Sequence, residues 1–132
     1  MAAGKYNFVI EQGATTDFEV QYTDSSNNPV DLTGYTGRMQ IRSTYAQDSG
    51  TLFLTLSSSL ASDGTGLNFS GSNGSTPPTS GSIGIFISAT SSSALTFNEA
   101  LYDLEIYSGS TAYPYTTRLL GGKVKLSKEV TT

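Results

Sequence analysis

The residues with the means to act on a substrate are few, and the clearest of them come in pairs. Asp103 and Glu105 stand two apart, as do Asp17 and Glu19. Two carboxylates held about 5 to 10 Å apart can divide the work of glycoside hydrolysis, one as acid and the other as nucleophile or base. Around the first pair, however, Tyr102, Leu104 and Ile106 alternate with the acids, and around the second Phe18, Val20 and Tyr22 do the same. Alternation of period two marks a strand with one buried face, which assigns these acids to the outer faces of strands. Asp63-Gly64-Thr65-Gly66 offers oxygen ligands to a calcium ion but lacks the spaced acidic ladder of a calcium loop, and it reads as a turn. Gly71-Ser72-Asn73-Gly74 and Gly121-Gly122-Lys123 have the glycines of a phosphate loop without its spacing or a helix behind it, so both read as turns. Tyr45, Tyr107, Tyr113 and Tyr115 could form a stacking platform for a carbohydrate, although Tyr is also an ordinary half-buried strand residue.

Two zeros in the composition narrow the chemistry further. The 132 residues include no His and no Cys. That removes thiolate nucleophiles, disulfides and the usual structural zinc sites, together with the side chain most used for proton transfer near neutral pH. No catalytic residue, cofactor or metal is expected. The net charge is −4, with seven Lys and Arg against eleven Asp and Glu. Arg38 and Arg42 can share a strand face, and Lys123, Lys125 and Lys128 lie near the end. The cations are scattered rather than clustered, so a nucleic-acid partner is not expected. No run of 18 apolar residues exists to span a membrane, and the first residues lack the apolar run of a signal peptide. The expectation is a gene product made and folded in a cytoplasm.

The elements that must position these residues are strands. The chain has 20 Ser and 18 Thr, 38 small hydroxyls in all, with 8 Tyr, 6 Phe and only 14% charged residues. Such a balance suits a β-rich domain and argues against disorder. Apolar alternation marks strands at Tyr6–Ile10, Phe18–Tyr22, Met39–Ile41 and Leu52–Leu56, the last with Phe53 on its opposite face. Further strands follow at Leu67–Phe69, Ile83–Ile87, Tyr102–Ile106, Tyr113–Leu120 and Val124–Leu126. Ser108-Gly109-Ser110 closes a hairpin, and Gly121-Gly122 is expected to form a bulge. Asp31 caps a turn in which Gly34 supplies a positive φ. Ser88 caps one short helix between Ala89 and Leu95. The pattern predicts a single all-β domain over 1–132, an immunoglobulin-like antiparallel β-sandwich of about 8–9 strands with one short helical turn.

Several segments carry a family resemblance: Ile10-Glu11-Gln12-Gly13, Pro29-Val30-Asp31-Leu32-Thr33-Gly34-Tyr35, Arg38-Met39-Gln40-Ile41-Arg42, Ile87-Ser88-Ala89-Thr90, Leu101-Tyr102-Asp103-Leu104-Glu105-Ile106, Thr117-Arg118-Leu119-Leu120, Gly122-Lys123-Val124 and Lys128-Glu129-Val130-Thr131. In this order they resemble small immunoglobulin-like virion proteins of tailed bacteriophages and the N-terminal domain of phage baseplate upper proteins. The resemblance implies a non-enzymatic virion component present in many copies in the tail or baseplate. Head decoration, a neck position and a host-surface carbohydrate-binding module are the alternatives. Its partners are then other copies of itself and other virion proteins.

Two surfaces follow as candidates for assembly. The first is the N-terminal strand, Tyr6, Phe8 and Ile10, flanked by Lys5 and Glu11, which could pair by strand addition. A domain lacking residues 1–10 is expected to stay soluble and lose assembly. The second is the Ser/Gly/Pro-rich loop at about 70–82, with Gly74, Pro77 and Pro78 as possible partner contacts. Pro77 and Pro78 cannot join a central strand. With no apolar anchor, the loop is expected to be ordered only by a neighbour.

Overall fold

The computed structural model describes residues 4–24, 26–44, 50–71, 77–109 and 114–130. Nine strands and one short helix run in the order β1 (Gly4–Lys5), β2 (Phe8–Glu11), β3 (Thr16–Gln21), β4 (Thr36–Arg42), β5 (Leu52–Ser57), β6 (Gly66–Asn68), β7 (Ser82–Ile87), α1 (Ala89–Ser93), β8 (Glu99–Gly109) and β9 (Pro114–Ser127). They form a six-stranded sheet, β1-β9-β8-β4-β5 with β2 also on β9, and a three-stranded sheet, β3-β7-β6. This is the arrangement of an immunoglobulin sandwich. β3, β7 and β6 take the places of strands B, E and D, and β4, β8 and β9 those of C, F and G, with β5 added beside β4.

Period-two alternation decides which side chains meet between the sheets. Met39 and Ile41 of β4, Leu104 and Ile106 of β8, and Val124 of β9 are fully buried against Ile83, Ile85 and Ile87 of β7 and Leu67 of β6. Asp17, Glu19 and Gln21 of β3 face solvent, while Phe18 and Val20 pack on the core. Leu95 and Phe97 follow α1 inward, as their spacing predicts. Ser88 caps α1 by accepting from the Ser91 backbone N–H. Asp31 accepts from the Thr33 backbone N–H at 2.9 Å and the Thr33 hydroxyl at 2.6 Å, which holds its carboxyl below the usual range. Gly34 stands at φ 81°, in the left-handed region that favours glycine.

Three features depart from the expectations. The sandwich is not wholly antiparallel: β1 and β2 both run parallel to β9. The bulge in β9 lies at Leu119, because Leu104 pairs Leu120 while Glu105 pairs Arg118. Gly121 and Gly122 sit in regular register opposite Asp103 and Tyr102, inside a strand rather than in a turn. A matching irregularity leaves Phe53 as the extra residue of β5, since Ile41 pairs Leu54 and Arg42 pairs Leu52. The two bulges have one physical reason. A regular strand turns one of two adjacent residues to solvent, whereas here both Leu119 and Leu120, and both Phe53 and Leu54, pack on the core. Phe53 thereby packs against Phe97 in a tilted ring pair with centroids 4.8 Å apart, instead of lying on the opposite face from Leu54.

The 70–82 loop also departs in part. Gly74 lies outside the described residues. Pro77 is exposed, and Pro78–Ser80 forms a 3-10 turn, so the prolines stay out of the sheet as expected. Yet the domain itself holds this end of the loop: the Gln21 side-chain amide donates to the Ser80 carbonyl at 3.0 Å and the Tyr22 N–H to the Gly81 carbonyl at 2.8 Å. At residues 80 and 81 the Gln21 side chain and the Tyr22 backbone, at the end of β3, thus supply contacts in place of an apolar anchor.

Candidate functional site

The expected assembly edge is a lateral edge of the six-stranded sheet. β2 pairs residue for residue with β9, Phe8 with Val124 and Ile10 with Leu126, and among the described residues no strand lies on its outer side. Sequence reasoning places Tyr6, Phe8 and Ile10 on one face, and the Tyr6 ring does stack on Phe8, but their burial differs. Phe8 and Ile10 are buried core residues, whereas Tyr6 is 47% exposed. The difference arises where β1 gives way to β2. At Asn7 the ladder is carried by a side chain, whose Oδ1 accepts from the Lys123 N–H at 2.9 Å. The Tyr6 N–H donates to the Gly121 carbonyl at 3.0 Å, and its carbonyl accepts from the Tyr102 hydroxyl at 2.5 Å. Burial, and next Tyr6, push the Tyr102 hydroxyl well above its ordinary pKa, so it remains a donor throughout the usual pH range. Tyr6, Phe8, Phe18 and Tyr102 complete an aromatic cluster with centroid spacings of 5.0 to 6.3 Å.

Gly122 makes this crossing possible. A Cβ at that position would run into the Tyr6 carbonyl oxygen and the Asn7 side chain, while one at Gly121 would meet nothing closer than 3.5 Å. The glycine pair is therefore neither a phosphate loop nor a turn; its second member is the notch through which the N-terminal segment passes. What the edge offers a partner is its backbone and Val9, which is 55% exposed. Phe8 and Ile10 cannot be lent to a neighbour without opening the core. For the same reason, removing residues 1–10 takes two core side chains with it, and the expectation of a soluble truncated domain does not fit this geometry.

The sequence missed a second edge. Among the described residues β5 pairs only with β4, and it contains no charged residue and no proline, the devices that usually keep an edge from pairing. Its Leu52 is 44% exposed. Strand order, which periodicity does not report, is what identifies β5 as an edge.

The carboxylate pairs lie on outer faces, as the alternation indicates. Asp103 meets the Arg118 guanidinium at 3.6 Å and Glu105 that of Arg38 at 3.6 Å. Burial, and next the Glu105 charge, raise the Asp103 carboxyl above its usual range. Asp103 also borders an open groove of about 670 Å³ on this face, over Gly121, together with Lys5, Arg42, Arg118 and Lys123. Asp63 has a different and unforeseen task. Its carboxylate accepts from the Thr65 N–H at 3.0 Å, the Ser88 hydroxyl at 2.5 Å and the Ser91 hydroxyl at 2.8 Å, joining the turn before β6 to the start of α1. These donors, led by Ser88, hold its carboxyl far below the usual range. The Asx turn to Thr65 is visible in the sequence, but the partners 25 and 28 residues away are not.

Tyr45 and Tyr113 lie outside the described residues, as does the side chain of Tyr115; of the tyrosine platform, Tyr107 alone is placed, half-buried on β8. Among the described residues there is no group of three or more His, Cys, Asp or Glu side chains that could hold a metal ion, and no helix is long and apolar enough to cross a membrane. No protein-family model matches the chain, and no curated protein matches it significantly.

Proposed function

We propose that the chain is a non-enzymatic structural component of a tailed-bacteriophage virion, present in many copies in the tail or baseplate and acting through protein–protein contacts. The observation that carries the assembly part of this reading is the open N-terminal edge, a strand whose inner side chains anchor it while, among the described residues, no strand lies beside its outer backbone. Strand addition at such an edge draws affinity from main-chain hydrogen bonds and register from alternate side chains. The phage part rests on the ordered sequence resemblance. The pairing of Asp103 and Glu105 with guanidinium groups supports the non-enzymatic part, since each acid already has a neutralising partner.

The test replaces truncation with a change that spares the core. Val9→Lys puts a charge on the exposed side of β2 and leaves Phe8 and Ile10 in place. The variant should fold like the parent but fail to enter particles, as measured by quantitative mass spectrometry of purified virions, with a labelled parent copy imaged in the tail or baseplate. Incorporation of the variant at normal copy number would remove the N-terminal edge from the contact. Absence of the parent from purified particles would overturn the virion reading.

A further inference from the structure

All seven cations of the chain, Lys5, Arg38, Arg42, Arg118, Lys123, Lys125 and Lys128, belong to the six-stranded sheet or the residue directly after it. The strands of the three-stranded sheet hold no Lys or Arg, and their charges are Asp17 and Glu19 on β3. In a sandwich the two outer faces point in opposite directions. The strands of the six-stranded sheet also carry Glu11, Glu99, Asp103 and Glu105, three of them paired with Arg38, Arg118 and Lys123. Six cations against four acids there, and two acids with no cation on the other sheet, leave the molecule polar across its thickness, although its net charge of −4 gives no hint of this.

Each face also has a hollow with a glycine floor. On the six-stranded side, the groove of about 670 Å³ over Gly121 is bordered by Lys5, Arg42, Arg118 and Lys123, with Asp103 as the one acid among the described residues. Gly121 leaves this floor open because its outward position carries no side chain between Asp103 and Lys5. On the opposite side, a smaller depression of about 210 Å³ over Gly84 is bordered by Asp17, Asp63, Leu60 and Phe86, two acids with two apolar side chains and no cation. Leu60 stands 48% exposed beside it. The hydroxyl donors around Asp63 hold that carboxyl in its charged form well below neutral pH, so the acidic face keeps its sign.

We propose that the cationic groove of one copy receives the acidic Asp17–Glu19–Leu60 face of the next copy, head to tail. Opposite potentials on facing patches steer encounter and fix orientation. A contact between two different patches on opposite faces is heterologous, so it repeats as an open row or ring instead of closing as a symmetric dimer. The inference deepens the assembly reading by naming one contact between copies; its groove takes in Lys5 of β1 but not Val9 or any other residue of β2, where strand addition is placed.

Purified full-length chain tests it by sedimentation velocity across a concentration series, at about 10 mM ionic strength, where fields reach about 30 Å, and at about 1 M, where they reach about 3 Å. The average mass should rise with concentration at low salt and return to that of a monomer at high salt. Asp17→Lys with Glu19→Lys makes both faces positive; Arg118→Glu with Lys123→Glu turns the groove negative. Each double variant alone should remain monomeric at low salt. Mixed in equal amounts they should associate again, because each supplies the sign the other lacks. Circular dichroism of each variant separates loss of contact from loss of fold, and Lys125→Glu, outside the groove, is the control that should still associate. A parent chain that stays monomeric at low salt overturns the contact, as does a folded mixture that fails to associate. Neither result touches the particle-incorporation test, so failure here and failure of the virion reading are distinguishable.

Discussion

The N-terminal segment and the corner around Asp63 are both joined to the body of the sandwich, and they are held by opposite means. Gly4–Glu11 is held by parallel backbone pairing to β9 and by two apolar anchors, Phe8 and Ile10, sunk in the core. The Asp63 corner is held by one exposed carboxylate that gathers the Thr65 N–H and the hydroxyls of Ser88 and Ser91. The first attachment depends on volume and burial, and the second on charge. A segment of the first kind cannot detach without disturbing the core, which is why its outer backbone can be offered to a partner while its side chains cannot.

The largest expected effect lies at the N-terminal segment. Deleting residues 1–10 should abolish the cooperative thermal transition, because the cut removes a strand and two core side chains at once. Within the full chain, Phe8→Ala should cost about 3–5 kcal/mol in urea denaturation and Ile10→Ala about 2–5 kcal/mol. A truncated chain with normal stability would break the comparison, since the segment would then be a mere appendage.

The next effect separates two adjacent glycines. Gly122→Ala forces a methyl against the Tyr6 carbonyl and the Asn7 side chain and should cost about 1–3 kcal/mol. Gly121→Ala faces the open groove and should fall within about 0.5 kcal/mol of the parent. Equal costs for the two would show that the crossing at Tyr6 and Asn7 does not lean on Gly122.

A pH series sharpens the contrast between the two attachments. The Asp63 carboxyl is lowered by folding from its ordinary 3.8. Its contribution is therefore complete above that value and lost as the pH falls through the folded value. Asp63→Asn should lower the melting temperature near neutral pH, and the gap to the parent should shrink as the pH drops well below 3.8. The gap for Phe8→Ala should change little over the same series, since no titrating group is removed. A constant gap for Asp63→Asn would mean that the corner is held by shape alone.

The smallest effect concerns the exposed ion pairs on the outer face of the six-stranded sheet. Arg38→Ala, which removes the partner of Glu105, should cost about 0–1 kcal/mol, and less in high salt. That sets a baseline: an exposed cross-strand pair holds far less than either attachment.

Much of this architecture is legible from the residues. The alternation at Phe18–Tyr22, Ile83–Ile87 and Tyr102–Ile106 assigns inner and outer faces correctly, and the Ser88 cap, the Asp31 turn and Gly34 are recognisable from local chemistry alone. The bulges at Phe53 and Leu119 are not. Two adjacent apolar residues are compatible with several registers, and which register wins depends on the room the opposite sheet leaves. The candidate edge is legible only in part. Phe8 and Ile10 read as a half-buried strand, but the way Tyr6 is held at the rim requires Gly122 and Tyr102 to meet it from distant points in the chain.

By itself, the sequence determined an all-β sandwich with a Leu- and Ile-rich interior, because period-two burial is a property of neighbouring residues. It also left residues 43–117 without a single Lys or Arg. The tertiary structure decided which strands lie at the edges, that the first strand runs parallel to the last, and that the cations gather on one outer face. Strand order brings Lys5, Arg42, Arg118 and Lys123 around one groove, and that order is set by long-range packing between residues that share no local pattern.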